Sequence, residues 1–494
     1  MKRRDFTKLA ATTMVAATGS TLAAKQTKPN LLIFQTDEHN FRTLGCYRDL
    51  MSEDQAFVWG KGVKVDTPHI DSIARDGAIC DRYYSSSPVC SPSRASFVSG
   101  LYPINTNVYK NGIPLKEGLV TFAEVLKQQG YSTSYLGKWH LEGIKEKPGF
   151  APKRKFGFDD NRYMWDGGHW KKMGLKEDGS PYVASIGSNG KVNTRVDGAD
   201  EKSFTTDWLA DRTMEIIERD QHKPFCIMCS IPDPHTPNTV RAPYDTMFKD
   251  LHFKNPKTMD WPLEKMPKWH RVGQKNTCLE IDQDKFQQYF GMVKCIDDNV
   301  GRVLGDLKAK GLDQNTIVIF TSDHGDMLGE HKRTNKSMPF EASARIPFVI
   351  RYPKKIRPGK VIHTAYTTVD FAPTILGMMG ISETIPNAEG IDGSSAFLSK
   401  ELEVNDDRIT YVTSAHQNAV TAVNQRYKLV LTPIDDPWLF DLEKDPDELI
   451  NQYPKPEYKE IGQRMKTALM NAMKRANEPM LVSPKKPLIV ETRS

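Results

Sequence analysis

No stretch of the 494 residues is apolar enough for long enough to make a convincing membrane span, no segment carries charge of a single sign, and no internal repeat recurs. These absences exclude a polytopic membrane protein, a long charged tail and a solenoid. Cysteine is also scarce. The seven residues Cys46, Cys80, Cys90, Cys226, Cys229, Cys278 and Cys295 are too few and too irregularly spaced to form a disulfide scaffold in so long a chain. Half of the formal charge of +6 comes from Lys2, Arg3, Arg4 and Lys8 against Asp5. The weakly basic remainder interleaves Lys and Arg with Asp and Glu, so no nucleic-acid partner is expected, whereas an anionic substrate is compatible.

What is present describes a folded globular protein: 38% hydrophobic residues, 26% charged residues and eight Trp. The amino terminus reads Lys2-Arg3-Arg4-Asp5-Phe6-Thr7-Lys8, followed by a mildly apolar run from Leu9 to about Ala24. That is the form of a twin-arginine export signal, which predicts an exported or periplasmic protein, the export machinery as a partner and no stable membrane insertion. Cys226 and Cys229 form a C-x-x-C inside Phe225-Cys226-Ile227-Met228-Cys229, where core packing in a buried strand is the expectation.

Four short runs, apolar on both faces, end in charged or imidazole side chains. Leu31 to Phe34 leads to Asp37-Glu38, and Ser134 to Leu136 leads to Lys138-Trp139-His140. Phe225 to Ile231 leads to Asp233-Pro234-His235, and Thr316 to Phe320 leads to Asp323-His324. Such runs predict central strands of a large, mostly parallel α/β sheet flanked by helices, with ligands bound at the carboxyl ends of the strands. Helices are expected around Asp207 to Arg219 and through Tyr289 to Leu307, the second stopped by Gly311. From about Leu402 the texture changes to short strand-like runs. The expected organisation is a signal peptide over 1–24, a catalytic α/β domain over 25–400, and a small C-terminal subdomain over 401–494 with an antiparallel sheet and a terminal helix.

Chemistry concentrates in a few places. In Cys90-Ser91-Pro92-Ser93-Arg94, Pro92 suits a first helical turn, which puts residue 90 at a helix N-terminus where an anion or an ionised nucleophile is favoured. The motif alone leaves two readings open, a nucleophile held by Arg94 or a buried cysteine before an ordinary helix. Asp37, Glu38, Asp323 and His324 end two apolar runs and offer hard oxygen ligands with one imidazole, a set for calcium, magnesium or manganese. Lys138, His140, His235 and Lys336 add two acid/base groups and two positive charges. The segment from Tyr163 to Lys172 mixes aromatics, glycines and positive charge, and reads equally as a sugar-gripping loop or a packed one.

Taken together, these motifs resemble the type I sulfatases of the alkaline phosphatase superfamily. Cys90-Ser91-Pro92-Ser93-Arg94 looks like their maturation signature, Gly137-Lys138-Trp139-His140-Leu141 like their second motif, and Ser322-Asp323-His324-Gly325 like their late metal motif. Thr36-Asp37, Pro234-His235, Val369 to Thr374 and Leu439 to Leu442 add to the match. The resemblance implies that a maturation enzyme oxidises Cys90 to formylglycine, whose hydrated form attacks sulfur beside a metal held by Asp37, Glu38, Cys90, Asp323 and His324, usually calcium. It implies that Arg94 polarises the nucleophile, that His235 with Lys336 serves the leaving alcohol, and that His140 with Lys138 takes the proton when sulfate is expelled. Glu38 departs from the family, which usually has Asp or a carboxamide there. The implied substrate is a sulfated polysaccharide or oligosaccharide. The alternatives are a phosphonate or phosphate ester hydrolase of the same superfamily and a non-catalytic glycan-binding protein.

Overall fold

The structure, a computed structural model, describes residues 28–271, 277–383, 385–414, 419–481 and 488–490. The expected export segment lies outside them. Among the described residues no helix is long and apolar enough to cross a membrane.

The four apolar runs form neighbouring strands at the middle of a nine-stranded sheet. In spatial order its strands are Glu403–Val404, Lys360–Ile362, Ala78–Cys80, Phe348–Arg351, Thr316–Ser322, Asn30–Asp37, Phe225–Pro234, Ser132–Lys138 and Met164–Trp165. All neighbours pair in parallel except Phe348–Arg351, which runs antiparallel to both strands beside it. Side chains alternate between two covered faces. Leu31, Ile33, Cys226, Met228, Ile317 and Ile319 enter one core. Leu32, Phe34, Ile227, Cys229, Val318 and Phe320 enter the other. Both faces are therefore apolar, which is why the strands read as continuous hydrophobic runs. The same alternation sends the thiols of Cys226 and Cys229 into opposite cores, and neither forms a disulfide.

Helices Cys90–Ser99, Phe122–Gln128 and Phe371–Met379 cover the first face through Phe97, Phe122 and Phe371. Thr205–Asp220 and Gln283–Ala309 cover the second, the latter through Ile296, Val300, Val303 and Leu307. Asp282 caps Gln283–Ala309 by accepting from the Lys285 amide at 3.2 Å, and Gly311 follows its end with φ 68°. A separate four-stranded antiparallel sheet, Thr410–Ser414, Ala419–Val423, Tyr427–Leu431 and Trp438–Asp441, packs against the helix Lys459–Arg475.

Register fixes where the chemistry falls. Thr36 pairs with Ser322, Asp37 with Pro234 after a register shift, and Gly137 with Ser230. Asp37, Lys138, His235 and Asp323 therefore leave the sheet along one carboxyl edge.

Candidate active site

Residue 90 is the first residue of the Cys90–Ser99 helix and only 1% exposed. That helix is held at its start by Asn111, whose Oδ1 accepts from the Ser91 amide at 2.9 Å. It ends at Gly100, whose φ of 70° is left-handed. The Cys90 Sγ lies 3.1 Å from His324 Nε2 and 3.6 Å from Asp37 Oδ1. Burial, and then the Asp37 carboxylate, push this thiol up to about 12, so unmodified it stays protonated at neutral pH.

One atom each from Asp37, Cys90, Asp323 and His324 converge within 4.8 Å of one another, all four residues buried. His324 Nδ1 faces the Gly325 carbonyl at 3.0 Å, which assigns the proton to Nδ1 and leaves Nε2 a lone pair toward Cys90 and the two carboxylates. Asp323 is fixed by three donors: the amides of Glu38 and His324 at 3.2 and 2.8 Å, and Arg94 Nε at 2.8 Å. Burial alone would raise the Asp37 carboxyl, but Lys138 and the other neighbouring cationic groups outweigh it and hold Asp37 well below the usual carboxylate range.

Arg94 spans the site. Its Nη1 donates to the Lys138 carbonyl at 2.8 Å and to Ser230 Oγ at 2.7 Å, and its Nη2 has no hydrogen-bond partner among the described residues. Lys138 donates to Asp37 Oδ2 and, at 2.8 Å, to His169 Nε2. Gly137, with φ 92°, makes this strand end possible, because a Cβ there would lie 1.8 Å from the Ser230 carbonyl oxygen.

Glu38 stands apart from the four-atom cluster. Its Oε2 lies 3.1 Å from Lys336 Nζ and 3.0 Å from His235 Nε2, while Oε1 is buried without a partner among the described residues. Burial raises its carboxyl to about 7 despite Lys336. Lys336 also donates to His235 Nε2 at 2.6 Å, and His235 Nδ1 faces the Thr236 carbonyl at 2.6 Å. His140 Nδ1 is buried without a partner, and burial with Lys138 nearby holds its ring well below the usual imidazole range. Glu38 and His140 both leave their strands at φ 63°, and Asn335 and Ser337 on either side of Lys336 have φ 61° and 77°. Each such non-glycine residue costs about 1–2 kcal/mol, strain of the kind found at working sites.

All the residues singled out in the sequence thus lie along one edge. His169 joins them from the segment Tyr163 to Lys172, which is otherwise packed: Trp165, Trp170 and Lys171 are buried, and Lys171 pairs with Asp233 at 2.5 Å. Its sequence signal was slight, a histidine after Gly167-Gly168 between two buried tryptophans. Ser230, which braces Arg94 and the Lys138 carbonyl, had no signal at all.

A family model described as Sulfatase matches residues 29–381, and one described as N-sulphoglucosamine sulphohydrolase, C-terminal, matches residues 329–475. The N-acetylglucosamine-6-O-sulfatase of Bacteroides thetaiotaomicron is 28% identical over 87% of this chain and 84% of its own length. The choline-sulfatase of Rhizobium meliloti is 28% identical over 87% of this chain and 83% of its own. A solved protein in complex with its substrate D-glucosamine-2-N,6-O-disulfate shares the fold, with TM-score 0.73 at 23% identity over 91% of this chain and 98% of the other.

Proposed function

Because the chain belongs to the sulfatase family, we propose that it hydrolyses sulfate esters of a sulfated polysaccharide or oligosaccharide, with formylglycine at position 90 and a divalent cation beside it. The observation that carries the proposal is the position of Cys90: a buried helix N-terminus within reach of Asp37 and His324, with Arg94 paired to the Asp37 and Asp323 carboxylates. Two fixed carboxylates, an imidazole whose Nε2 lone pair points into the cluster and the orphaned Glu38 Oε1 fit a cation, while Arg94 Nη2, which lies 3.5 Å from Asp37 Oδ2 and makes no hydrogen bond among the described residues, fits an added anion. Asp37, Asp323 and His324 would hold the ion together with residue 90, Glu38 standing at its edge. Calcium suits the oxygen donors, with manganese or magnesium the alternatives. Formylglycine supplies a hydroxyl nucleophile and the bound ion supplies a Lewis acid.

The other roles belong to side chains already placed. Arg94 and Lys138 orient the anion and balance its charge. Lys336 donates to His235 Nε2, so a proton relayed through that nitrogen can go to the departing alcohol oxygen. His140 keeps a free Nδ1 to take up a proton as sulfate is released. The sugar-sulfate activity named for relatives such as the N-acetylglucosamine-6-O-sulfatase supports a glycan substrate, and the twin-arginine form of residues 1–24 supports a periplasmic or exported enzyme.

The test joins two measurements on protein made in its native host: the mass of the tryptic peptide from Tyr83 to Arg94, and rates on matched sulfate and phosphate esters. Formylglycine at position 90 with sulfate cleaved faster is the expected result. Preference for phosphate would make the protein a phosphate or phosphonate ester hydrolase, and unmodified cysteine without turnover would make it a glycan-binding protein. Turnover of aryl or choline sulfate alone, across a broad glycan panel, would overturn the substrate class.

A further inference from the structure

The rings of His169 and His235 lie face to face, with centroids 3.6 Å apart and planes within 5° of parallel. Both ring nitrogens of His235 are engaged, Nδ1 with the Thr236 carbonyl and Nε2 with Lys336 and Glu38. What those bonds leave loose is rotation of the ring plane about the line joining them, and a flat partner on one face removes it. His169 is itself firmly carried. Trp165 Nε1 donates to the Gly168 carbonyl at 3.2 Å, and Trp170 Nε1 to the Gly167 carbonyl at 3.1 Å. Asp166, buried before the turn, accepts from the amides of Glu142 and Ile144 at 2.8 and 2.9 Å. The ring therefore arrives from a braced turn, and its Nε2 takes a hydrogen bond from Lys138 at 2.8 Å.

We propose that His169 is a positioning residue of the sulfatase reaction: its stacked ring fixes the plane of His235, and its Nε2 fixes one N–H direction of Lys138. The proposal rests on His235 acting as the leaving-group acid. A displaced acid is felt where the leaving oxygen most needs a proton, so loss of the stack falls hardest on alkyl and sugar sulfates and least on activated aryl sulfates.

The experiment compares His169→Ala, His169→Phe and His235→Ala on a series of sulfate esters from nitrophenyl to sugar-alcohol leaving groups, with circular dichroism to confirm folding. His235→Ala should steepen the dependence of kcat/KM on leaving-group acidity. His169→Ala should steepen it in the same sense, with losses of about 10- to 100-fold on the poorest leaving groups, the range expected for a misplaced catalytic group. His169→Phe keeps a flat ring and should restore the dependence, leaving a uniform deficit from the lost Lys138 contact. Adding His169→Ala to His235→Ala should not steepen the dependence further. A selective loss in His235→Ala with a uniform loss in His169→Ala would overturn the His169 role alone. Equal losses on all esters in His235→Ala would overturn the leaving-group reading and the His169 role with it. If His169→Ala does not fold, His169→Phe decides: a dependence as steep as that of His235→Ala overturns the stacking role.

Discussion

At the scale of single residues, Arg94 is the brace of the candidate site. One buried guanidinium joins Asp323, the Lys138 carbonyl and Ser230, and so links three strand ends. Replacing it with Met takes the cation from the buried Asp323 carboxylate, while Asp37 keeps Lys138, and breaking one side of such a pair costs about 3–5 kcal/mol. Arg94→Met should therefore lower the urea midpoint and reduce kcat/KM by at least about 100-fold, the scale of losing one preorganised donor. Urea unfolding beside steady-state kinetics checks both, and a variant as stable and active as the parent would remove the assignment. Lysine in its place would keep the charge but lose the fork that reaches three partners at once.

At the scale of elements, the segment bearing Lys336 depends on the smaller sheet. Lys428, on the strand Tyr427–Leu431 and 1% exposed, lies 2.7 Å from Glu341 and 2.8 Å from Glu448, and donates to the Pro339 carbonyl at 2.9 Å. Burial would raise Glu341, but Lys428 and Arg345 outweigh it and bring it down to about 2, whereas burial lifts Glu448 to about 7. In Lys428→Met, Glu341 keeps Arg82 and Arg345, and among the described residues Glu448 is left with the Glu341 amide alone. A carboxyl whose folded-state value lies above its unfolded value contributes its stability at low pH and loses it as pH rises. Removing Lys428 raises Glu448 further, so the gap between parent and variant, already present near pH 5 from the partner lost by Glu341, should widen toward pH 8. Urea midpoints at the two pH values measure it, and a gap that narrowed with rising pH would contradict the account.

The same scale shows what the sequence could tell. The central strands were legible because both faces are buried, and the site was legible wherever a chemical side chain directly ends such a strand, as at Asp37, Lys138 and Asp323. The reversed direction of Phe348–Arg351 was not, since a strand buried on both faces reads alike in either direction. Nor was the two-residue edge strand Met164–Trp165, too short for any periodicity. His169 was hidden for a related reason: it reaches the site from an irregular turn whose placement depends on distant packing.

At the scale of the whole molecule, the two sheets share a core. Trp261, Trp269, Met327, Met338 and Phe340 pack with Ala419, Val430, Phe440 and Leu442, the last four from the smaller sheet and the residue just beyond it. Trp261 and Trp438 meet across this seam with ring centroids 6.2 Å apart. The two family matches overlap over residues 329–381, which carry Lys336 and Glu341. Urea unfolding should therefore be a single transition, with tryptophan fluorescence and far-UV circular dichroism giving the same midpoint. Separate midpoints would show that the smaller sheet melts by itself.

The depth of Cys90 also sets an order in time. With its Sγ enclosed by Asp37 and His324, and its helix docked on the sheet, residue 90 offers no handle to another macromolecule once the chain has folded. If residue 90 is converted to formylglycine as proposed, the enzyme that remodels this thiol must meet a chain still extended, and its window closes as the strand ends Asp37 and Asp323 come together. On that proposal folding speed and maturation are competitors, and a molecule that folds first keeps its cysteine.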